Sequence, residues 1–159
     1  MTQRLITFFV GDQVYGLPLL IVGEFCPTYE ITPVAGVDER VHGVTHLRGV
    51  STVVLDMHKV LSVAPRSKDA TSESILILPE SQLCSDAIGL GLTTYDEPII
   101  LEVDALDRII DLSSSFKHSP PAHMNEPFYD GIYETGNRDL ISLNLGELIG
   151  FLEKDFQEV

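Results

Sequence analysis

VHGVTHLRGVSTVVLD, residues 41–56, is the most informative stretch of the chain. Val, Thr and Leu dominate on both sides of Arg48-Gly49, and β-branched residues favour extended strands. Two short runs of this kind around a glycine-containing turn are typical of a β-hairpin. We therefore predict a hairpin with one strand at 43–47, a second strand that begins at Gly49 or Val50 and ends at Asp56, and a turn near Arg48-Gly49.

The C-terminal part of the chain repeats this order of residues. Gly43, Gly49, Asp56 and the apolar pair 60–61 correspond to Gly131, Gly136, Asn144 and the apolar pair 148–149. Each copy predicts a hairpin that runs into an apolar helical turn. Two copies of a mostly β unit predict two small β-barrels packed together.

The remaining apolar runs predict further strands at 5–10, 14–17, 31–35, 75–78, 87–93, 99–103, 132–134 and 140–144. Pro18 favours a short helix over 19–25, because proline is readily accepted in the first turn of a helix. Apolar residues at 145, 148, 149, 152 and 156 have helical spacing, which predicts an amphipathic C-terminal helix.

The strand pattern also predicts core residues and linkers. We expect the core to include Val53, Leu55, Leu140, Ile141 and Leu143. Residues 62–74 contain few large apolar side chains, and residues 113–127 contain the adjacent prolines Pro120 and Pro121. We therefore expect both segments to be linkers. The boundaries of the two barrel halves stay open at this point, and we treat 1–159 as one domain.

Composition restricts the classes of partner. The chain has 159 residues, with 24 acidic against 10 basic side chains and a net charge of −14. That balance argues against nucleic acid or an anionic membrane as partner, because binding to phosphate depends on Lys and Arg. The apolar runs are too short for a signal peptide or a membrane span, and Cys26 and Cys84 form no disulfide framework. A soluble cytoplasmic protein is therefore expected.

The sequence contains no pattern that predicts an enzyme. Phosphate-binding glycine loops and nucleophile signatures are absent from it. His42 and His46 lie four residues apart on a predicted strand, where that spacing is about 13 Å and too long for one metal ion. We therefore expect no catalytic residue, no metal and no cofactor, and we interpret the chain as a binding module.

Several segments together resemble the CheW family of chemotaxis coupling proteins. The similarity is carried, in order, by residues 14–17 and 22–25, by 41–50 and 54–56, and by 103–112 and 131–149. It implies a mainly β fold of two packed five-stranded SH3-like β-barrels with short helices and a C-terminal helix. The chain departs from the family pattern at His46, where Asn is usual, and in a longer segment at 80–97.

The resemblance implies a non-enzymatic adaptor that connects the cytoplasmic tip of a methyl-accepting receptor to the regulatory domain of a CheA-type histidine kinase. It places the receptor-binding site at Leu19, Val22, Glu24, Phe25, Gly43 and Arg48, and it assigns no kinase-binding residues. Two alternatives remain open: a coupling protein of a non-flagellar, pilus-type array, and a small-ligand-binding regulatory β-barrel. The receptor, its signal, the output and the role of 80–97 are not specified.

Glu24 and Arg48 are charged residues embedded in apolar sequence. Because an isolated charge in such surroundings loses hydration, we expect each to have a partner. The family pattern has an acid and an arginine at the matching positions. We therefore predict an ion pair between Glu24 and Arg48 that holds the 19–25 helix against the hairpin turn.

Overall fold

The computed structural model describes residues 3–26, 30–64, 72–112, 116–119, 124, 126–134 and 138–157. The strands are β1 Arg4–Val10, β2 Gln13–Pro18, β3 Val22–Cys26, β4 Val41–Leu47, β5 Val50–Asp56, β6 Glu73–Ile77, β7 Ile99–Val103, β8 Ala105–Asp111, β9 Phe116–His118, β10 Tyr129–Glu134 and β11 Asp139–Leu143. The α-helices are α1 Met57–Val60, α2 Ser85–Gly89 and α3 Leu145–Gln157, and short 3-10 helices span Leu19–Ile21 and Glu80–Gln82.

The strands form two sheets, and this confirms the predicted mainly β fold. One sheet has five strands in the order β3-β6-β7-β5-β4. The other has the order β8-β1-β2-β11-β10-β9, so that β9 adds a sixth strand at its edge. The C-terminal helix is confirmed as α3.

The six-stranded sheet takes strands from both ends of the chain, whereas the five-stranded sheet takes the consecutive strands β3 to β7. β1 and β2 join β8 to β11, while β6 and β7 join β3, β4 and β5. In both sheets the two groups meet at a parallel pair, β2 with β11 and β5 with β7, whereas the other pairs are antiparallel. The two repeats have therefore exchanged their first two strands.

The predicted repeat is visible in the geometry of the two hairpins. A β-bulge precedes Gly43 in β4, and another precedes Gly131 in β10. Each hairpin then runs directly into a helix, α1 after Asp56 and α3 after Asn144. The bulges and the helix starts recur at the corresponding residues, so the two segments are similar in backbone structure as well as in sequence spacing.

The main core joins the two sheets and α3. Its fully buried members include Phe8, Leu17, Ile75, Leu101 and Leu148. Leu5, Val14, Tyr133 and Leu140 form a second buried cluster. Among the predicted core residues Leu55, Leu140, Ile141 and Leu143 are buried, while Val53 is partly buried against the main core.

The sequence-based prediction of a helix over 19–25 is wrong. Leu19–Ile21 form one 3-10 turn, and Val22–Cys26 form β3, which pairs antiparallel with β6 at the edge of the five-stranded sheet. On one side β3 pairs with Ser74–Ile77 of β6, and this pairing overrides the helical spacing of its apolar residues.

Two further strand predictions are corrected. The segment 87–93 was expected to be a strand, but α2 covers Ser85–Gly89 and no described residue of 90–93 belongs to a strand. The segment 31–35 contributes a single bridge, between Thr32 and Val44. Pro33 follows Thr32 directly and has no N–H to donate, and exposed residues follow it, which explains why the bridge does not extend.

The two expected linkers are only partly described. Residues 65–71, 113–115, 120–123 and 125 lie outside the described residues. The first segment overlaps the start of β6, and the second contains β9, which pairs with β10. β9 ends before Pro120-Pro121, so its three residues can still form a ladder.

Candidate functional site

The predicted hairpin turn at Arg48-Gly49 is confirmed, and its backbone is unusual. Leu47 pairs with Val50, so that the turn has two residues, and both have positive φ, 52° at Arg48 and 81° at Gly49. Two-residue turns with positive φ at both positions match the twist of a hairpin, but they favour Asn or Gly at the first position. Arginine in the left-handed region is strained, and strain of this kind is often found at functional sites.

The predicted ion pair between Glu24 and Arg48 is also confirmed. Arg48 Nη2 lies 2.6 Å from Glu24 Oε2, and the side chains are 78% and 34% exposed respectively. Glu24 belongs to β3 rather than to a helix, so the pair joins an edge strand to a hairpin turn.

This contact shows how the five-stranded sheet is curved. β3 forms one edge of the sheet, and the Arg48 turn connects the opposite edge strand β4 to β5. In a flat sheet, three to four strand spacings of about 4.8 Å would separate them by roughly 14–19 Å. Because side chains stand roughly perpendicular to a flat sheet, the direct contact between these two side chains indicates that the sheet is curved.

The apolar residues of the predicted site differ in exposure. Phe25, next to Glu24, is 42% exposed, and Val50, next to the turn, is 49% exposed. Leu19 and Val22 are partly buried and pack against the main core. The structure therefore leaves Phe25 and Val50 accessible on opposite faces of the five-stranded sheet and uses Leu19 and Val22 largely for packing.

Gly43 lies away from the ion pair, and local packing explains why this position is a glycine. It is buried in β4, five residues before Arg48, which is roughly 16 Å along an extended strand. Thr32 and Val44 exchange two backbone hydrogen bonds of 2.8 and 3.0 Å across it. A side chain at Gly43 would overlap the Thr32 carbonyl oxygen and Ile31. Glycine here lets the 30–32 segment approach the strand.

Two histidine–carboxylate pairs were not predicted from the sequence. His58 Nε2 lies 2.7 Å from Asp104 Oδ1, and Asp104 Oδ2 accepts a hydrogen bond of 2.6 Å from the Gly11 N–H. His42 Nδ1 pairs with Glu102. These contacts tie α1 to the β1–β2 turn and β4 to β7, and only the sheet order, which sequence spacing does not reveal, brings the partners together.

A further ion pair shapes the electrostatics before β4. Arg40 holds Asp38 in a two-pronged contact, with Nε 2.8 Å from Oδ1 and Nη2 2.7 Å from Oδ2. The Arg40 hydrogen bonds to the side chain lower the pKa of Asp38 from 3.8 to about 2. Asp38 therefore stays ionised over nearly the whole acid range.

The described part of the chain contains no group of three His, Cys, Asp or Glu side chains that could share a metal ion. None of its helices is long and apolar enough to cross a membrane.

The family model of the CheW-like domain matches residues 4–153. The chain belongs to the CheW-like domain family. A relative of this CheW-like chain, the chemotaxis protein CheW of Treponema pallidum (strain Nichols), is 24% identical over 159 residues, which is 98% of this chain and 86% of that protein. The crystal structure of scaffolding protein TtCheW from Thermoanaerobacter tengcongensis is similar with a TM-score of 0.75 at 23% identity, covering 93% of this chain and 92% of that chain. This likeness supports the two-sheet fold of the CheW-like chain.

Proposed function

We propose that this CheW-like protein is a non-enzymatic chemosensory adaptor. In this role it binds the cytoplasmic tip of a methyl-accepting receptor and the regulatory domain of a CheA-type histidine kinase, and it couples the two. Membership of the family and the names of the relatives, a chemotaxis protein and a scaffolding protein, support this role. The function rests on two protein interfaces and needs no bond-making step.

The conformation and exposure of Arg48 are the main support for the proposed receptor interface. Its backbone is held at positive φ, its side chain is 78% exposed, and Glu24 contacts one nitrogen of the guanidinium group. A planar guanidinium fixed on one side by a carboxylate can offer its other N–H groups to a receptor carbonyl or carboxylate. Strain at a residue that contributes little to packing is more readily explained by binding than by stability.

The surroundings of Arg48 suit a helical partner. Val50 exposes apolar surface on the face of the sheet that carries Glu24, and interfaces commonly combine apolar anchors with arginine. An amphipathic receptor helix could lay its apolar face on Val50 and its polar edge on Arg48, and Phe25 offers a second apolar contact on the other face of β3. In this proposal Leu19 and Val22 support β3 from the core side, and Gly43 fixes the segment beside β4.

The same proposal treats 1–159 as one CheW-like domain that acts in the cytoplasm. The sheet topology supports a single unit, because β1 and β2 pair with β8 to β11 in one sheet while the intervening strands β3 to β7 form the other.

Binding measurements with charge-reversed variants test the receptor interface. Calorimetric titration of the full chain with a receptor hairpin fragment, and separately with a kinase regulatory domain, is expected to give saturable binding to each. Arg48→Glu is expected to lose receptor binding while kinase binding is kept. Adding Glu24→Arg to that variant restores the pair with opposite polarity and is expected to recover part of the receptor affinity.

Arg108→Glu is the matched control, since Arg108 is 60% exposed on β8 and lies outside the proposed site. It is expected to leave receptor binding unchanged. The adaptor role would be refuted by wild-type protein that binds neither fragment. If both fragments bind but Arg48→Glu and Arg108→Glu behave alike, the role stands and this location of the receptor site is wrong.

A further inference from the structure

A second accessible surface lies on the other side of β4, in a cavity of about 300 Å³ between the five-stranded sheet and α3. We call it the α3 cavity. Most of its lining is aliphatic, and it is formed by Val34, Val37, Val41, Val44, Val53, Leu55, Tyr95, Glu97, Pro98, Ile99, Ile149, Leu152 and Glu153. Its size lies at the lower end of the range for small-molecule sites, which are typically apolar with a few polar groups.

The floor of the α3 cavity depends on the β-bulge in β4. The bulge shifts the register between Val41 and Gly43, and the extra residue allows Val41 and Val44 to line the same side of the strand. The bridge between Thr32 and Val44 then holds the preceding segment in place. Val34 and Val37, which follow in that segment, are 42% and 46% exposed, so the aliphatic lining opens to solvent.

The opposite wall comes from α3 and from the segment 93–99, part of which belongs to the longer 80–97 segment noted in the sequence. Gly146 of α3 packs so closely on Thr93 that a Cβ would overlap the Thr93 hydroxyl group. Further along, the Glu153 carboxylate lies near the Tyr95 hydroxyl and, after burial, contributes to the raised pKa of Tyr95. These two contacts hold the segment against α3, so part of the longer 80–97 segment forms a wall of the cavity.

The charged groups at the rim of the cavity are all carboxylates, which attract cations. Glu97 and Glu153 are exposed carboxylates, and the described lining of the cavity contains no Lys, Arg or His. The pKa of Tyr95 is raised, first by burial and then by Glu153, Glu97 and Asp96, which reflects a negative potential at this mouth. A ligand that complements the cavity therefore needs an apolar body and a cationic end.

We propose that the α3 cavity binds a small organic cation, a primary ammonium group on a short aliphatic chain. The chain would occupy the valine-lined floor, and the ammonium group would lie between Glu97 and Glu153 with its donors directed to the carboxylates. A bound ligand would touch α3, which follows β11 of one sheet, and β4 and β5 of the other. This site goes beyond the adaptor function and does not depend on it.

Calorimetric titration of the full chain with alkylammonium probes tests this site directly, without receptor or kinase. Butyl-, hexyl- and octylammonium are expected to bind with affinity rising up to about fourfold per buried methylene until the cavity is filled. Hexanol and hexanoate have the same chain without the positive charge. Hexylammonium is expected to bind at least tenfold more tightly than either, and added salt is expected to reduce this preference.

Two variants test separately the contribution of the ammonium group and that of the aliphatic chain to binding. Glu153→Gln is expected to weaken hexylammonium about tenfold without changing hexanol, whereas Glu147→Gln on the same helix is expected to have no effect. Val34→Trp fills the mouth and is expected to weaken both probes, while Ile109→Trp adds the same side chain to an exposed position on β8. Absence of saturable hexylammonium binding, equal affinity for hexanoate, or binding unaffected by Val34→Trp would each overturn the proposal.

Discussion

Asp56 and Asn144 occupy the same position in the two related hairpins, and each caps the helix that follows. Asp56 Oδ1 accepts a hydrogen bond of 3.0 Å from the His58 N–H at the start of α1. Asn144 Oδ1 accepts one of 3.1 Å from the Glu147 N–H at the start of α3. Both side chains satisfy a backbone donor that the first helical turn leaves unpaired.

The Asn144 cap is expected to contribute measurably to stability. Asn144→Ala removes the acceptor and is expected to lower the free energy of unfolding by about 1 kcal/mol, within the usual range for lost caps. Asn144→Ser keeps a capping oxygen and is expected to stay close to wild type. Urea denaturation of the two variants measures the difference, and equal stabilities would mean that the cap contributes nothing.

The Glu24–Arg48 pair is expected to contribute little stability despite its short distance. Because the Arg48 side chain is 78% exposed, a double-mutant cycle with Glu24→Gln and Arg48→Gln is expected to give a coupling of about 0–1 kcal/mol. Raising the salt concentration screens the charges and is expected to reduce that coupling. A coupling of several kcal/mol, or one that salt does not change, would contradict the exposed geometry.

Gly43→Ala is expected to destabilise the protein, because the new methyl group meets the Thr32 carbonyl oxygen and Ile31. Overpacking of this kind typically costs about 1–3 kcal/mol. Hydrogen exchange at the Thr32 and Val44 amides is expected to accelerate as the bridge loosens. Gly89→Ala is the control, since nothing lies within 4 Å of a Cβ there; a similar loss in both variants would argue against the close approach.

Leu143 is 2% exposed in the main core. Leu143→Ala is expected to cost about 2–5 kcal/mol, from lost burial and the cavity left behind. Ile109→Ala on an exposed position of β8 is expected to cost much less. A change under about half a kcal/mol for Leu143→Ala by denaturant titration would contradict the placement of β11 in the core, since buried leucines rarely tolerate truncation that well.

The Asp38–Arg40 pair predicts a specific pH dependence. The folded pKa of Asp38 is about 2 against an ordinary value of 3.8. Since the depressed pKa favours the ionised folded state, its stabilising contribution is present above the ordinary value and is lost as the pH falls towards 2. NMR titration of the Asp38 carboxyl is expected to show this low midpoint, and Arg40→Gln is expected to move it upward. Arg108→Gln should leave it unchanged; an ordinary Asp38 midpoint in wild type would refute the pair.

Local sequence patterns predicted the hairpins well, because period and turn chemistry are local properties. The turn at Arg48-Gly49, the C-terminal helix and most strands follow directly from such patterns. The segment 19–25 did not, because its apolar residues at 19, 22 and 25 have helical spacing while its conformation is set by pairing with β6. An edge strand is determined by a partner some fifty residues away, which the segment itself does not encode.

The candidate site was predicted in part for the same reason. Glu24 and Arg48 could be paired because both are charges in apolar surroundings, and the family pattern contains them together. The exposed positions beside them depend on the curl of the sheet, so Val50 was not predicted as part of the site. The α3 cavity depends on a bulge and on a helix from the other sheet, and neither leaves a signal in the residues that line it.

The exchange of strands between the two sheets has a consequence for how the chain folds. Val14 pairs with Leu140, near the opposite end of the sequence, and Val53 pairs in parallel with Ile99. Such contacts between distant residues must be closed against chain entropy before they stabilise anything, which slows folding. The six-stranded sheet cannot be completed before β11 is available, so a ribosome-bound N-terminal portion holds β1 and β2 without their eventual neighbours, although all strands of the five-stranded sheet lie before residue 104. Because the main core joins the two sheets, they are expected to form and to unfold as one cooperative unit.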